Sequence, residues 1–180
     1  MQKLYTSGDW SFFLSQSFHP RFLAPTEHYV QLKLTNDWDD YNELTHATRF
    51  FDEAQKKPTL EVDSHLLMKG GKLKGALFIL RGELATIESR YPIPEPEKSL
   101  ILKYFHIMER GQGIGQRWLK EVIIPYYGKL GFADIYLSSS HPKSFGFYEK
   151  FGKEIATYTS ASDNGLLTRE GKCFRVAIGW

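Results

Sequence analysis

Residues 98–148 limit the fold of this chain more than any other stretch. They begin with SLILKYFHI at 99–107, apolar on both alternating faces, as a strand in the middle of a sheet should be. From Gly113 the spacing turns helical: Ile114, Trp118, Val122 and Tyr126 recur four apart, with Leu119 and Ile123 beside them. Between strand and helix lies the run Arg110, Gly111, Gln112, Gly113, Ile114, Gly115. The first N–H groups of a helix have no intrahelical acceptor, and the helix dipole adds partial positive charge at that end. Glycine lets such a backbone close on an anion such as phosphate, and Arg110 adds a charge-assisted donor. A glycine-rich turn with no ligand would use the same residues, so the rest of the chain has to decide.

Spacing and composition narrow the choice. A dinucleotide fingerprint needs G-x-G-x-x-G, whereas the third glycine here comes one residue early; a Walker loop needs G-K-[ST], which is absent. A nucleotide-dependent enzyme built on ATP or NAD therefore disagrees with the motif. The 180 residues, 42% hydrophobic and 24% charged, suit one domain over 1–180 with a sizeable core. A net charge of +2 without a Lys/Arg run offers no nucleic-acid surface. Cys173 is the lone cysteine, and no segment has the length and apolarity of a leader or a membrane span, so a cytoplasmic protein without membrane contact is expected. The six histidines show no ligand spacing such as H-x-x-x-H, and no metal is expected.

Taken in order, residues 1–26 carry Trp10, Phe12, Phe13, Phe18 and Phe22 and read as an extension packed on the domain. HYVQLKL at 28–34 alternates like a first strand. Asn36 or Asp37 then caps a helix with an acidic first turn (Asp37, Asp39, Asp40) and with Trp38, Tyr41, Leu44, Thr48 and Phe51 on one face. Residues 60–68 and 73–80 form a hairpin about Gly70 and Gly71. YPIPEP at 91–96 makes 82–97 a long, stiff loop, either a connector or a wall of a binding cleft. Pro125 should kink or stop the central helix near Ile124, with a short turn on to Leu130. A strand at 133–138 follows, then a helix opened by Pro142 with Phe145, Tyr148 and Phe151 on one face, then a hairpin of 153–160 with 173–178. The order is β-α-β-β-β-α-β-α-β-β.

Two motifs carry a resemblance. Arg110, Gly113 and Gly115 fill [RQ]-x-x-G-x-[GA], and SSSHPKSFGFYEKFG at 138–152 meets N-x-x-A-x-x-F-Y-E-K-x-G-F at Phe147, Tyr148, Glu149, Lys150 and Gly152. In both the chain resembles the GNAT superfamily of acyl-CoA-dependent N-acetyltransferases. The resemblance implies a single-domain α/β fold whose mixed sheet splays after its fourth predicted strand, with acetyl-CoA in the opening. It also implies direct acetyl transfer to a primary amine of a small molecule or peptide, and it admits a homodimer. By position, the backbone N–H groups of Arg110, Gly111, Gln112, Gly113, Ile114 and Gly115 would hold the CoA pyrophosphate, and Phe105 and Ile107 would offer backbone groups to the pantetheine.

The catalytic assignments follow from the same comparison. Tyr148 stands where many relatives have the tyrosine that protonates the departing CoA thiolate; the other reading packs its ring in the core with the hydroxyl at the surface. His141 replaces an Asn that contacts CoA, and either donates a hydrogen bond there or caps the helix at Pro142; Ser144 and Lys153 are further departures. Ser99 stands where many relatives carry a Glu base, and Glu97 is the nearest substitute, with Glu83, Glu88 and His106 behind it. That gap motivates an alternative, a catalytically weak CoA-binding module with a regulatory or interaction role. Asp37, Asp39, Asp40, Glu83 and Glu88 hint at a cationic acceptor, and Cys173, away from both motifs, is not expected to carry an acyl group.

Overall fold

The computed structural model describes residues 1–36 and 41–178. Its strands are Gln2–Ser7 (β1), Trp10–Ser15 (β2), Leu60–Lys69 (β3), Lys72–Gly82 (β4), Ser99–Ile107 (β5), Asp134–Ser139 (β6), Lys153–Ala161 (β7) and Thr168–Ala177 (β8). They form one sheet in the order β1-β2-β3-β4-β5-β6-β8-β7. Every neighbouring pair is antiparallel except β5 with β6. The helices are Ala24–Thr35 (α1), Glu43–Ala54 (α2), Ile114–Arg117 (α3), Ile124–Lys129 (α4) and Pro142–Tyr148 (α5), with a π-helical stretch, Trp118–Ile123, joining α3 to α4.

The N-terminal third departs from the sequence reading in two places. Residues 2–15 are not an extension laid on the sheet but two of its strands, turned at Gly8 (φ 57°) and Asp9. β2 buries Trp10, Phe12 and Leu14 and pairs with β3 over its whole length. The second departure is 28–34, expected as a strand and found inside α1. Pro25 and Glu27 suit the first turn of that helix. Its buried positions, Thr26, Val30 and Lys33, recur at helical spacing, but two of the three are polar, and Leu34 is 57% exposed. Hydropathy therefore assigns Lys33 and Leu34 to the wrong faces and leaves an apparent alternation.

Lys33 is buried because it has partners. Its ammonium lies 2.7 Å from the Tyr41 carbonyl and 2.7 Å from a Glu43 carboxylate oxygen, tying α1 to the start of α2. α2 is capped by Asn42, whose side chain accepts from the Thr45 N–H at 3.0 Å, so the helix begins later than a cap at Asn36 or Asp37 would place it. The expectations for Asp37, Trp38, Asp39 and Asp40 lie outside the described residues. Beyond α2 the chain follows the expected order, and Pro125 sits in the first turn of α4. Pro125 cannot donate to the Glu121 carbonyl, and the wider π-helical turn before it absorbs the missing bond without ending the helix.

Helices cover both sheet faces. Trp118, Leu119, Val122, Ile123 and Tyr127 pack on Phe12, Leu67, Leu77, Ile79, Leu100 and Leu102. On the opposite face, Ala47 and Phe51 of α2 pack with Phe18 on Leu66, Ala76 and Phe78. One polar chain crosses the first core: Tyr127 donates its hydroxyl to Asp63 at 2.8 Å, and its oxygen lies 2.8 Å from His65 Nε2. Because the Tyr127 proton goes to Asp63, His65 must be the donor to Tyr127.

Candidate active site

The sheet opens where its one parallel pair ends. β5 and β6 are in register only from Ser99 with Asp134 to Leu102 with Leu137. β5 then continues along β4 as far as Ile107 with Gly75, while β6 continues along β8 through Ser138 and Ser139. From Lys103 onward one edge of β5 therefore has no ladder partner, and a cleft of about 610 Å³ occupies the gap.

A bulge sits at the parting point. The β4–β5 register shifts between Ala76 and Phe78, and Tyr104 has φ 50°. Alternation is broken there, so that two consecutive side chains face α2: the Lys103 ammonium lies 5.2 Å from the Phe50 ring and the Tyr104 ring 5.9 Å from it. Phe105 returns to the other face against Trp118, ring to ring at 5.6 Å, and His106 meets Thr26 (3.1 Å) and the Tyr29 ring (4.8 Å).

At the mouth of the cleft the glycine loop starts α3. Gly111 (φ 79°) and Gly113 (φ 67°) both take left-handed backbone, and Gly113 is the residue that caps the helix. A Cβ at either would meet no atom within 4 Å, so open space adjoins the loop. Gly115 differs: a Cβ there would come within 3.2 Å of Ile107 and 3.4 Å of Phe105, so its bareness lets the helix approach β5. Arg110 lies over the Tyr29 ring at 5.1 Å and, with His141 and Lys143, lines this end. Gln112 is exposed and Ile114 is in the core, so what they can offer a ligand is backbone N–H.

Tyr148 ends α5 and lines the cleft, with its ring 5.2 Å from Phe147 and 5.8 Å from Phe174. Its ring is in the core, as the structural reading has it, and among the described residues its hydroxyl has no hydrogen-bond partner. Burial raises its pKa well above that of an ordinary phenol, so the hydroxyl keeps its proton at neutral pH. His141 occupies the N-cap position of α5 but its side chain makes no capping bond; Ser144 donates to its carbonyl instead, through N–H at 2.9 Å and Oγ at 2.8 Å.

The structure does not bring Glu97 to this site. It is exposed on the 3₁₀ turn Pro96–Lys98, at the end of β5 opposite the opening, with the strand residues Ser99 to Leu102 between it and Lys103. Ser99 is buried and donates to the Glu95 carbonyl at 2.7 Å, a structural use of the position. Glu83 is exposed and accepts from the Thr59 hydroxyl at 3.0 Å. Glu88 is buried and saturated: against the opposing effect of burial, bonds from Arg90 (2.9 Å from Nε, 2.8 Å from Nη2) and its backbone hold the carboxyl below the usual range. His106 lines the cleft, but burial, reinforced by Lys33, pushes its imidazole down to about 3, leaving it a weak base. Cys173 is buried, its thiol pushed up to about 11 chiefly by burial, and so is protonated at neutral pH. Among the described residues no three His, Cys, Asp or Glu side chains converge as a metal site.

Sequence reasoning missed the inner half of the cleft. Tyr41, Glu43, Arg90, Lys103 and Tyr158 all line it, and they come from four separate segments with no motif to connect them. The one visible signal was Lys103, a charge inside an otherwise apolar strand.

No family model and no curated protein sequence matches this chain. Solved structures match its fold. A ribosomal-protein-alanine N-acetyltransferase from Brucella melitensis aligns with TM-score 0.57 over 92% of this chain and 99% of its own, at 13% identity. An N-acetyltransferase from Staphylococcus aureus Mu50 aligns at 0.58 over 93% and 98%, also at 13% identity. A GNAT superfamily phosphinothricin acetyltransferase from Sinorhizobium meliloti, solved in complex with AcCoA, aligns at 0.58 over 93% and 89%, at 14% identity. At these identities the likeness is one of architecture, and with the β5–β6 splay and the helix-capping glycine loop it establishes that this chain has the GNAT acetyltransferase fold.

Proposed function

We propose that the protein is an N-acetyltransferase that moves an acetyl group from acetyl-CoA to a primary amine. The observation that carries the reading is one continuous cleft. The unpaired β5 edge leads from the parting point to a helix start with open space beside Gly111 and Gly113, and Tyr148 lines the same cleft. These residues fit acetyl-CoA, which when bound supplies an acyl group activated as a thioester. The N–H groups from Gly111 to Gly115 and the Arg110 guanidinium suit pyrophosphate. The free edge of β5 at Phe105 and Ile107 suits the amides of the pantetheine arm, as a strand edge suits an added strand. Tyr148 holds a proton where a leaving thiolate would need one.

The amine must reach the site uncharged. Among the described residues Glu43 is the carboxylate lining the cleft, and it is paired with Lys33 at 2.6 Å. That scarcity of free carboxylate favours a second reading, a CoA-binding module with little turnover. Calorimetric titration with acetyl-CoA tests the common part. Wild type should bind and Gly113→Asp, which places a like charge where phosphate would lie, should not; absence of binding to folded wild type would overturn both readings. Release of free CoA in the presence of amines then separates the enzyme from the module.

A further inference from the structure

The inner end of the cleft has the wrong charge for a simple cationic amine. Among the described residues, the ionic ones lining the cleft are Arg90, Lys103, Arg110 and Lys143 against Glu43. Arg110 and Lys143 belong to the mouth, with the glycine loop. Deeper in, the acids are already used: Glu43 pairs with Lys33, and Glu88 holds Arg90 through two hydrogen bonds, at 2.9 and 2.8 Å. Arg90 is fixed further by the Tyr158 ring, 4.4 Å from its guanidinium carbon.

Lys103 stands apart from these pairs. It is the first β5 residue past the last β5–β6 pair, half-buried, with its ammonium over Phe50. Among the described residues it makes no hydrogen bond and no ion pair. Burial and then the nearby Arg90 hold its pKa below the usual lysine value, against the opposing pull of Glu88, whose hydrogen bonds go to Arg90 and not to Lys103. A desolvated ammonium without an anion is costly in the empty site and becomes favourable once an anion enters. The bulge at Tyr104 aims this side chain at the α2 side of the cleft, where its ammonium meets the Phe50 ring and no carboxylate among the described residues pairs with it.

We infer that the acceptor amine carries an anionic group, a carboxylate or phosphate, which Lys103 grips at the inner end of the cleft with Arg90 beside it. The inference rests on the acetyltransferase reading. It commits to the chemistry of the second group on the acceptor, and not to a particular molecule. Aromatic walls from Tyr104 and Tyr158 suit an acceptor whose body between amine and anion is flat or apolar.

The test measures CoA release with matched amines: phenylalanine against phenylalaninamide, glycine against glycinamide, and O-phosphoethanolamine against ethanolamine. In at least one pair the anionic member should lead by roughly 10- to 100-fold in kcat/KM, and the pair identifies carboxylate or phosphate. Lys103→Gln should collapse that lead through KM, and Lys103→Arg should retain most of it. A lead for the uncharged members, or one that survives Lys103→Gln, overturns the inference. If no amine is turned over, anion binding decides. With protein saturated with CoA and labelled at lysine ¹³Cε, the Lys103 signal, assigned through Lys103→Gln, should shift saturably with acetate or inorganic phosphate; no shift with either overturns it. Calorimetric failure to bind acetyl-CoA at all would instead sink the acetyltransferase reading, so the two failures are distinguishable.

Discussion

At the scale of single residues, the site depends on groups whose surroundings override their textual chemistry. Tyr148 belongs to the core cluster and also lines the cleft, and the proposed acid role rests on its hydroxyl alone. Tyr148→Phe keeps the ring, so turnover should fall about 10²-fold while acetyl-CoA affinity, read by calorimetry, stays put. Equal turnover would remove Tyr148 as the acid. Gly152 was legible in the sequence as part of a cofactor motif, yet its need is steric: a Cβ would collide with the Arg175 carbonyl of β8. Gly152→Ala should therefore cost on the order of 2 kcal/mol in urea unfolding, with no direct effect on acetyl-CoA contacts. Glu97 shows the opposite failure. It lies two positions from Ser99, where the resemblance looks for the base, and both sit at the end of β5 away from the opening.

At the scale of elements, pattern reading succeeded where burial follows hydropathy and failed where a charge is buried. β5, the central helix and the hairpin of 60–68 with 73–80 sit where apolar spacing and turn residues placed them, and the C-terminal hairpin forms as expected except that β8 begins at Thr168 and not at Cys173. The β1–β2 hairpin had its signals too, Gly8 and Asp9 between two runs with β2 alternating, but they were masked by a dense run of aromatics. α1 could not be read in this way, because its buried stripe ends on Lys33 and includes Thr26. Breaking its bonds to Glu43 and the Tyr41 carbonyl removes a buried ion pair that ties α1 to α2, so Lys33→Met should destabilise the fold by about 3 kcal/mol. A loss below about 1 kcal/mol in chemical denaturation would show that the α1–α2 tie is dispensable. At the glycine loop, Gly113→Ala separates conformation from charge: it should cost about 1 kcal/mol of left-handed strain, whereas only Gly113→Asp adds repulsion toward acetyl-CoA.

At the scale of the whole molecule, one sheet with helices on both faces contains a buried histidine whose protonation is linked to folding. His65 is fully buried, and burial pushes its imidazole down to about 3. The unfolded chain takes up that proton near the ordinary value of about 6.5, so its folded pKa is the lower one. The stability it contributes is whole above about pH 6.5 and is lost as pH falls toward 3, by up to about 1.4 kcal/mol per pH unit. Urea midpoints at pH 7 and pH 5 should separate more for wild type than for His65→Gln; identical separations would clear His65 of the effect. The same molecule shows what each level of description decides. The sequence by itself determined the order of the central and C-terminal elements, the glycine loop at a strand-to-helix passage, and the tyrosine after it, because these depend on spacing within one continuous stretch. Tertiary structure alone decided that α1 is a helix, that residues 2–15 complete the sheet, and that Arg90, Lys103 and Glu43 share a cleft with Tyr148. Those outcomes turn on a buried ion pair, on strand registry and on where β5 and β6 part, which are relations between segments distant in sequence.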